Sequence, residues 1–156
     1  METKKIKFNY SGSSLLQLLK EFGLGSKGFS NSDWWSEADW AQEKSPKGIY
    51  EIDFTEKFRG YSWDKAKKEM PKGWDFSHTA VLAEAILIHL KETGERLLEK
   101  DYSWTYSLTS YGSRVFVGYF GDDGLVVDYC IPYWVGGGGL RICLTRWAGK
   151  SLSESI

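Results

Sequence analysis

Two histidines and two cysteines, His78, His89, Cys130 and Cys143, are the chain's strongest candidate metal ligands and nucleophiles. The histidines are 11 positions apart in one apolar stretch of helical character. That spacing returns them to nearly the same helix face but leaves them about 16 Å apart along the axis, too far to share a metal. His89 reads as a surface or hydrogen-bonded helix residue. Neither cysteine has a CxxC partner, so the spacing offers no zinc site. Neighbouring strands could bring the two thiols within bridging range, but free, buried thiols are the expected state. There is no GxSxG, no P-loop lysine motif and no GxGxxG following a strand. Asp122-Asp123, between Gly121 and Gly124, reads as turn chemistry. Nothing points to a carboxylate pair for glycoside hydrolysis, whose spacing is spatial rather than sequential. The inventory favours a protein that is not an enzyme and needs no cofactor or metal.

The elements that would hold any site come next. A chain of 156 residues fits one domain that buries most of its apolar surface without disulfide staples. Its net charge of −1 carries no footprint for nucleic acid or acidic membranes. No apolar run approaches the roughly 20 residues that span a bilayer. The start, METKKIKFNYSGSS, lacks the apolar core of a secretory signal, so the default expectation is a cytoplasmic protein.

Ser11–Ser14 precede Leu15, Leu18, Leu19 and Phe22 at helical spacing, with Gly23 placed as a C-cap. Residues 24–47 are polar yet carry Trp34, Trp35 and Trp40, which predicts a flap ordered by docked indoles. Residues 1–47 thus form an N-terminal helix and Trp-rich flap. Gly48–Phe54 alternates as a strand. Ser62–Met70 reads as a helix capped by Ser62 and ended by Pro71, its lysines a solvated face. His78–Thr93 is apolar on nearly all sides, with Ser77 or Thr79 as cap and Gly94 at its end, so it must be central to the core. Four strand-length runs follow, 103–108, 114–120, 125–130 and 140–147, with Asp123-Gly124 as a hairpin signature and Gly136–Gly139 as a loop. The fold class is α+β: two to three helices packed on small antiparallel sheets.

The last third of the chain is written in a different alphabet. Residues 102–147 hold 11 aromatics and eight glycines but no Lys, Glu, Gln or Met, whereas residues 1–101 hold 29 of those four types. Strands and turns disfavour Lys and Glu, which is one explanation. Tyr, Trp, Ser and Gly are also the residues of adaptable recognition surfaces, which is another.

The order of short motifs then carries a resemblance. A strand with YEI (50–52) is followed by SWDKA (62–66) opening a helix and by Trp74 ahead of an apolar helix containing AEA (83–85). After these come YSWT (102–105), RVFVGYF (114–120) and a closing GLRICLTR (139–146). Over residues 48–147 this order resembles the C-type-lectin fold. It is similar in particular to the branch shared by formylglycine-generating proteins and bacterial domains with a YWTSS-like strand and a terminal LRVCLVR-like strand. The chain departs from that branch where chemistry would lie. The oxidases use a close cysteine pair near the C-terminus, whereas Cys130 and Cys143 are 13 apart. Iron-dependent relatives need a histidine triad. Calcium-dependent lectins use Asn- and Glu-containing loops, and the only asparagines here are Asn9 and Asn31.

The same branch includes the variable proteins of diversity-generating retroelements. As the resemblance implies, these randomise AAY codons to NNY, which never encode Lys, Glu, Gln, Met or Trp. Asp128–Tyr133 consists wholly of permitted types, and Val135 and Gly136 also fit, while Trp104, Trp134 and Trp147 would belong to the fixed scaffold. The favoured expectation is a module that binds a protein or small-molecule ligand through a variable region over 102–139. Its expected contact residues are Tyr106, Tyr111, Phe116, Tyr119, Asp128, Tyr129, Ile131, Tyr133 and Val135. Alternation along RVFVGYF sets Val115 and Val117 opposite Phe116, Gly118 and Phe120 without saying which side is wet. The rival expectations are a formylglycine-generating-type enzyme using Cys130 or Cys143, and a surface or virion assembly protein whose aromatic face makes an oligomer.

Overall fold

Local capping chemistry sets the helices. In the computed structural model, which describes residues 4–132 and 140–150, Ser14 closes a reciprocal capping box with Gln17 at the start of α1 (Leu15–Phe22). Ser62 Oγ accepts from the Lys65 N–H at 3.1 Å and starts α2 (Trp63–Lys68). The third helix, α3 (Thr79–Thr93), ends at Gly94 in the left-handed conformation. Its N-cap is His78, which makes no side-chain capping bond, so neither predicted cap acts as one. The Thr79 hydroxyl is engaged instead with Thr105 Oγ1 at 2.9 Å and Ser107 Oγ at 2.5 Å, and the Ser77 hydroxyl donates to the His78 carbonyl.

Around α3 the strands form two sheets. β1 (Lys5–Tyr10), β2 (Gly48–Asp53) and β7 (Leu144–Gly149) make an antiparallel three-stranded sheet in the order β1-β2-β7. β3 (Tyr102–Leu108), β4 (Arg114–Gly121), β5 (Gly124–Cys130) and β6 (Leu140–Arg141) make the second, in the order β5-β4-β3-β6. The protein is therefore a single α+β domain of three helices and two small sheets, as its pattern predicts. β1 is an addition to the sequence reading, and β6 pairs with β3 in parallel. The predicted strand 140–147 is divided between the two sheets. The Ile142 N–H donates to the Lys57 carbonyl and the Cys143 N–H to Ser103 Oγ, so these two residues step from one sheet to the other.

The second sheet is covered on both faces. On one side Val115, Val117, Phe120 and Val127 join α3, α1 and the flap in the larger core cluster. On the other, Trp104, Phe116, Leu140 and Leu144 pack with Trp63, Ala66 and Phe76. The flap docks as its indoles demand: Trp35 is fully buried, and the Trp34 N–H donates to the Val127 carbonyl at 2.9 Å. Among the described residues no helix is long and apolar enough to cross a membrane.

Nine successive residues of α3, Thr79–Leu87, are buried, and one of them is Glu84. Its carboxylate accepts from the Ser11 N–H at 2.9 Å and from the Ser11 hydroxyl. Burial nevertheless raises its pKa above the ordinary 4.5, and Glu21 adds to the shift. A raised folded pKa means that the native state holds the proton more tightly than the unfolded chain. The Glu84 contribution is then fully favourable below the unfolded pKa and is lost as pH rises through the folded value. Glu84→Gln, which keeps an acceptor for the Ser11 N–H, is expected to flatten that decline. Urea denaturation at several pH values from 4 to 7 checks this, and parallel curves for the two proteins would refute it.

Candidate functional site

The exposed apolar side chains are unevenly placed. Among the described residues eight large ones are exposed, and seven of these lie in the last third: Tyr106, Leu108, Tyr111, Tyr119, Tyr129, Ile131 and Trp147. The eighth is Leu24. Single exposed hydrophobics are ordinary on any protein surface, so grouping decides what they mean.

Tyr111 and Tyr129 are brought together. The β3–β4 turn is fixed by the Thr109 N–H to the Ser113 carbonyl at 2.8 Å and the Ser113 N–H to Thr109 Oγ1 at 3.0 Å. That turn sets the Tyr111 ring edge-on to Tyr129 with centroids 5.3 Å apart. The neighbouring Tyr129 side chain raises the Tyr111 pKa. Tyr129 also packs on Trp34, at 4.8 Å. Because the Trp34 N–H is spent on Val127, that indole offers only its apolar surface. Beside this trio lies a cleft of about 410 Å³ whose walls include Trp34, Trp40, Leu108 and Tyr111, with Glu37, Asp39 and Glu43 at its margin.

A second group forms around Tyr119. Its ring stacks on Tyr102 at 5.4 Å and 12°, and Tyr102 in turn stands edge-on to Phe116. Burial first, then the charge of Asp128 and the neighbouring Tyr119, raises the Tyr102 pKa. Asp128 is exposed opposite Phe116, its Oδ1 accepting from the Tyr129 N–H at 2.8 Å. Ile131 is exposed just beyond β5.

Two of the expected contact residues fall elsewhere. Phe116 is 8% exposed and belongs to the smaller core cluster. Alternation leaves open which side of this strand is wet, and β4 is an inner strand covered on both sides. Tyr106 is exposed but stands apart from the Tyr111–Tyr129 pair. It stacks on His78 at 5.5 Å and borders a separate cleft of about 350 Å³ with Trp74, Arg146 and Trp147. Tyr133 and Val135, with the Gly136–Gly139 loop, lie outside the described residues. Sequence reasoning treated Trp34 and Trp40 only as packing groups and left Tyr102 and Leu108 out. The one available signal was three tryptophans interleaved with acids in a polar segment.

The candidate reactive groups are not assembled for chemistry. Cys143 is fully buried, and desolvation raises its thiol to about 11. Cys130 is half-buried, also shifted upward by burial, and both thiols are free. Cys143 packs in the larger core cluster and Cys130 against the smaller, on opposite faces of the second sheet. His89 Nε2 lies 2.6 Å from Glu95 Oε1 on the surface, as a helix-surface histidine would. Among the described residues no three His, Cys, Asp or Glu side chains group as metal ligands do.

No protein-family model, no curated protein and no solved structure matches this chain.

Proposed function

We propose that the protein is a binding module that holds a protein or small-molecule ligand on aromatic side chains displayed by its second sheet. The carrying observation is that, among the described residues, seven of the eight exposed large apolar side chains fall in the last third, with Tyr111 and Tyr129 braced on Trp34. Aromatic anchors with few rotatable bonds give contact area at little entropic cost, and glycine and serine supply fit. Strand and turn hydrogen bonds hold these rings in place before a ligand arrives, which reduces the ordering cost of binding. A thiolate mechanism finds no support at Cys143, whose buried thiol, raised to about 11, is almost entirely protonated at neutral pH, and burial shifts the Cys130 thiol upward as well.

Within this reading the chain is the variable protein of a diversity-generating retroelement on a C-type-lectin scaffold. The support is compositional. Tyr111, Tyr119, Asp128, Tyr129 and Ile131 are exposed and of types that NNY codons encode, and the buried Trp104 is of a type they exclude. Sibling genes should then differ almost only across 102–139, at codons ending in C or T, with an adenine-rich near-repeat close by. Differences scattered along the whole gene would remove this part of the reading.

The binding claim is tested with a random 12-residue peptide display library selected on the protein. Tyr111→Ser with Tyr129→Ser is expected to weaken the selected peptides at least about tenfold, since interface aromatics commonly carry 2 kcal/mol or more. Both side chains are exposed, so the melting temperature should move by no more than about 3 °C. Equal binding to the double variant, or no enrichment from the library, overturns the proposal.

A further inference from the structure

A cavity of about 560 Å³ lies between the C-terminal ends of α1 and α3 and shares no lining residue with the Tyr111 cleft. That volume is in the range of small-molecule sites. Phe22, Leu87 and Leu90 supply its apolar lining, and Lys27, Lys91 and Arg96 its charged one. Glu21 is the one acid among its lining residues.

Arg96 is the anomaly. Its guanidinium lies over the Phe120 ring at 4.6 Å, and its Nη1 is shut off from solvent with no hydrogen-bond partner among the described residues. Arg114 Nε and Arg141 Nε also lack a hydrogen bond, but Arg141 Nε lies 3.4 Å from Asp101 Oδ2 and each arginine donates from Nη1 to a carbonyl, Tyr106 and Phe54 respectively. A buried donor left unmade is costly, and since Nη1 is closed to solvent a ligand in the cavity meets the other guanidinium nitrogens. Several cations of this fold are paired: Lys4 with Glu95, Lys67 with Asp75, Arg146 with Glu51. No such pair joins Lys27, Lys91 or Arg96 to an acid among the described residues.

We propose that this cavity binds a small organic acid, an apolar body carrying one carboxylate, with the carboxylate on Arg96 and the body against Phe22, Leu87 and Leu90. A guanidinium presents a planar fork of donors, which suits a carboxylate. The helix C-termini oppose an anion, and that effect decides how many cations are needed. It is blunted here because the Gly23 and Gly94 N–H groups already donate to the Leu19 and Leu90 carbonyls. Lys91, in the last turn of α3, offsets much of what remains. Lys27 and Arg96 lie beyond the helices and supply the excess positive charge.

The test uses 4-phenylbutyrate and its neutral counterpart 4-phenylbutanamide, titrated into the full chain and followed by amide NMR shifts and calorimetry. The acid is expected to move the amides of residues 22–27 and 90–96 and to bind about tenfold or more tighter than the amide, the usual value of a charge-assisted hydrogen bond. Arg96→Gln should erase that preference while the apolar contacts persist. Lys27→Gln, at an exposed position, should reduce it without changing stability, which keeps the test valid if Arg96→Gln folds poorly. Equal affinity for acid and amide, shifts confined to other surfaces, or no binding of the acid overturns the proposal. Since the cavity shares no lining residue with the Tyr111 cleft, none of these outcomes bears on the binding role proposed for Tyr111 and Tyr129.

Discussion

Replacing Trp35 by alanine is expected to lower folding stability by about 4 kcal/mol, in the range for emptying a buried tryptophan site. Trp35 is fully buried, packed on Phe29 at 5.3 Å and near Trp40 at 6.5 Å, with its N–H on the Asn31 carbonyl. The flap around it holds few other apolar residues, so its neighbours have little with which to collapse into the space. For a domain of this size the loss corresponds to a fall of about 8–16 °C in melting temperature. Loss of the anchor should also free Trp34 from its place beneath Tyr129, coupling flap stability to the aromatic pair. Trp34→Ala provides the contrast. That side chain is half-buried and forms a wall of the cleft, so it should cost less stability and more binding. Calorimetry and urea denaturation read the first effect. A loss below about 1 kcal/mol for Trp35→Ala would mean that the flap is not held by this indole.

What could be read in advance follows from how local each determinant is. α1 and α2 carry their caps within four residues, at Ser14 with Gln17 and at Ser62 with Lys65, so pattern and observed element agree. Ser77 and Thr79 look like caps, but Thr79 is claimed by Thr105 and Ser107, 26 and 28 positions away. β1 carried its own signal, since Phe8 and Tyr10 alternate inward in KIKFNY, but lysines at positions 4, 5 and 7 obscured it. The division of 140–147 depends on Lys57 and Ser103, 85 and 40 positions upstream of their partners, and no local pattern encodes that. The last third, whose composition sets it apart, holds most of the exposed aromatics among the described residues. Composition does not show that they separate into a Tyr111–Tyr129 group, a Tyr119 group and a Tyr106 that packs on His78, Trp63 and Phe76, because strand register and the flap decide that.

Gly118→Ala is expected to cost about 3 kcal/mol, the upper range for overpacking a well-filled site. Strict alternation along β4 would put Phe120 with Phe116 and turn Tyr119 inward beside Val115 and Val117. The register instead shifts between Gly118 and Gly121, and Tyr119 takes a left-handed φ of 47°. This extra residue sends Phe120 into the larger core and leaves Tyr119 outside, 52% exposed. The Tyr119 N–H donates to the Asp101 carbonyl and the Phe120 N–H to the Leu98 carbonyl, so the displaced backbone remains bonded. Close approach of β4 to Asp101 makes this geometry available. A Cβ on Gly118 would stand 2.2 Å from the Asp101 carbonyl oxygen and 2.7 Å from the Tyr102 Cα, both main-chain atoms. Asp101 cannot readily yield, because Arg59 grips its carboxylate with two bonds of 3.1 Å and Arg141 stands 3.4 Å away. Relief must therefore come from β4, at the expense of the Tyr119 and Phe120 bonds. The variant should melt about 6–12 °C lower and lose the Tyr102–Tyr119 stack, which the ring proton shifts of Tyr119 report directly. Unchanged ring shifts together with unchanged stability would show that the bulge does not need this glycine, and with it would go the account of how Tyr119 reaches the surface.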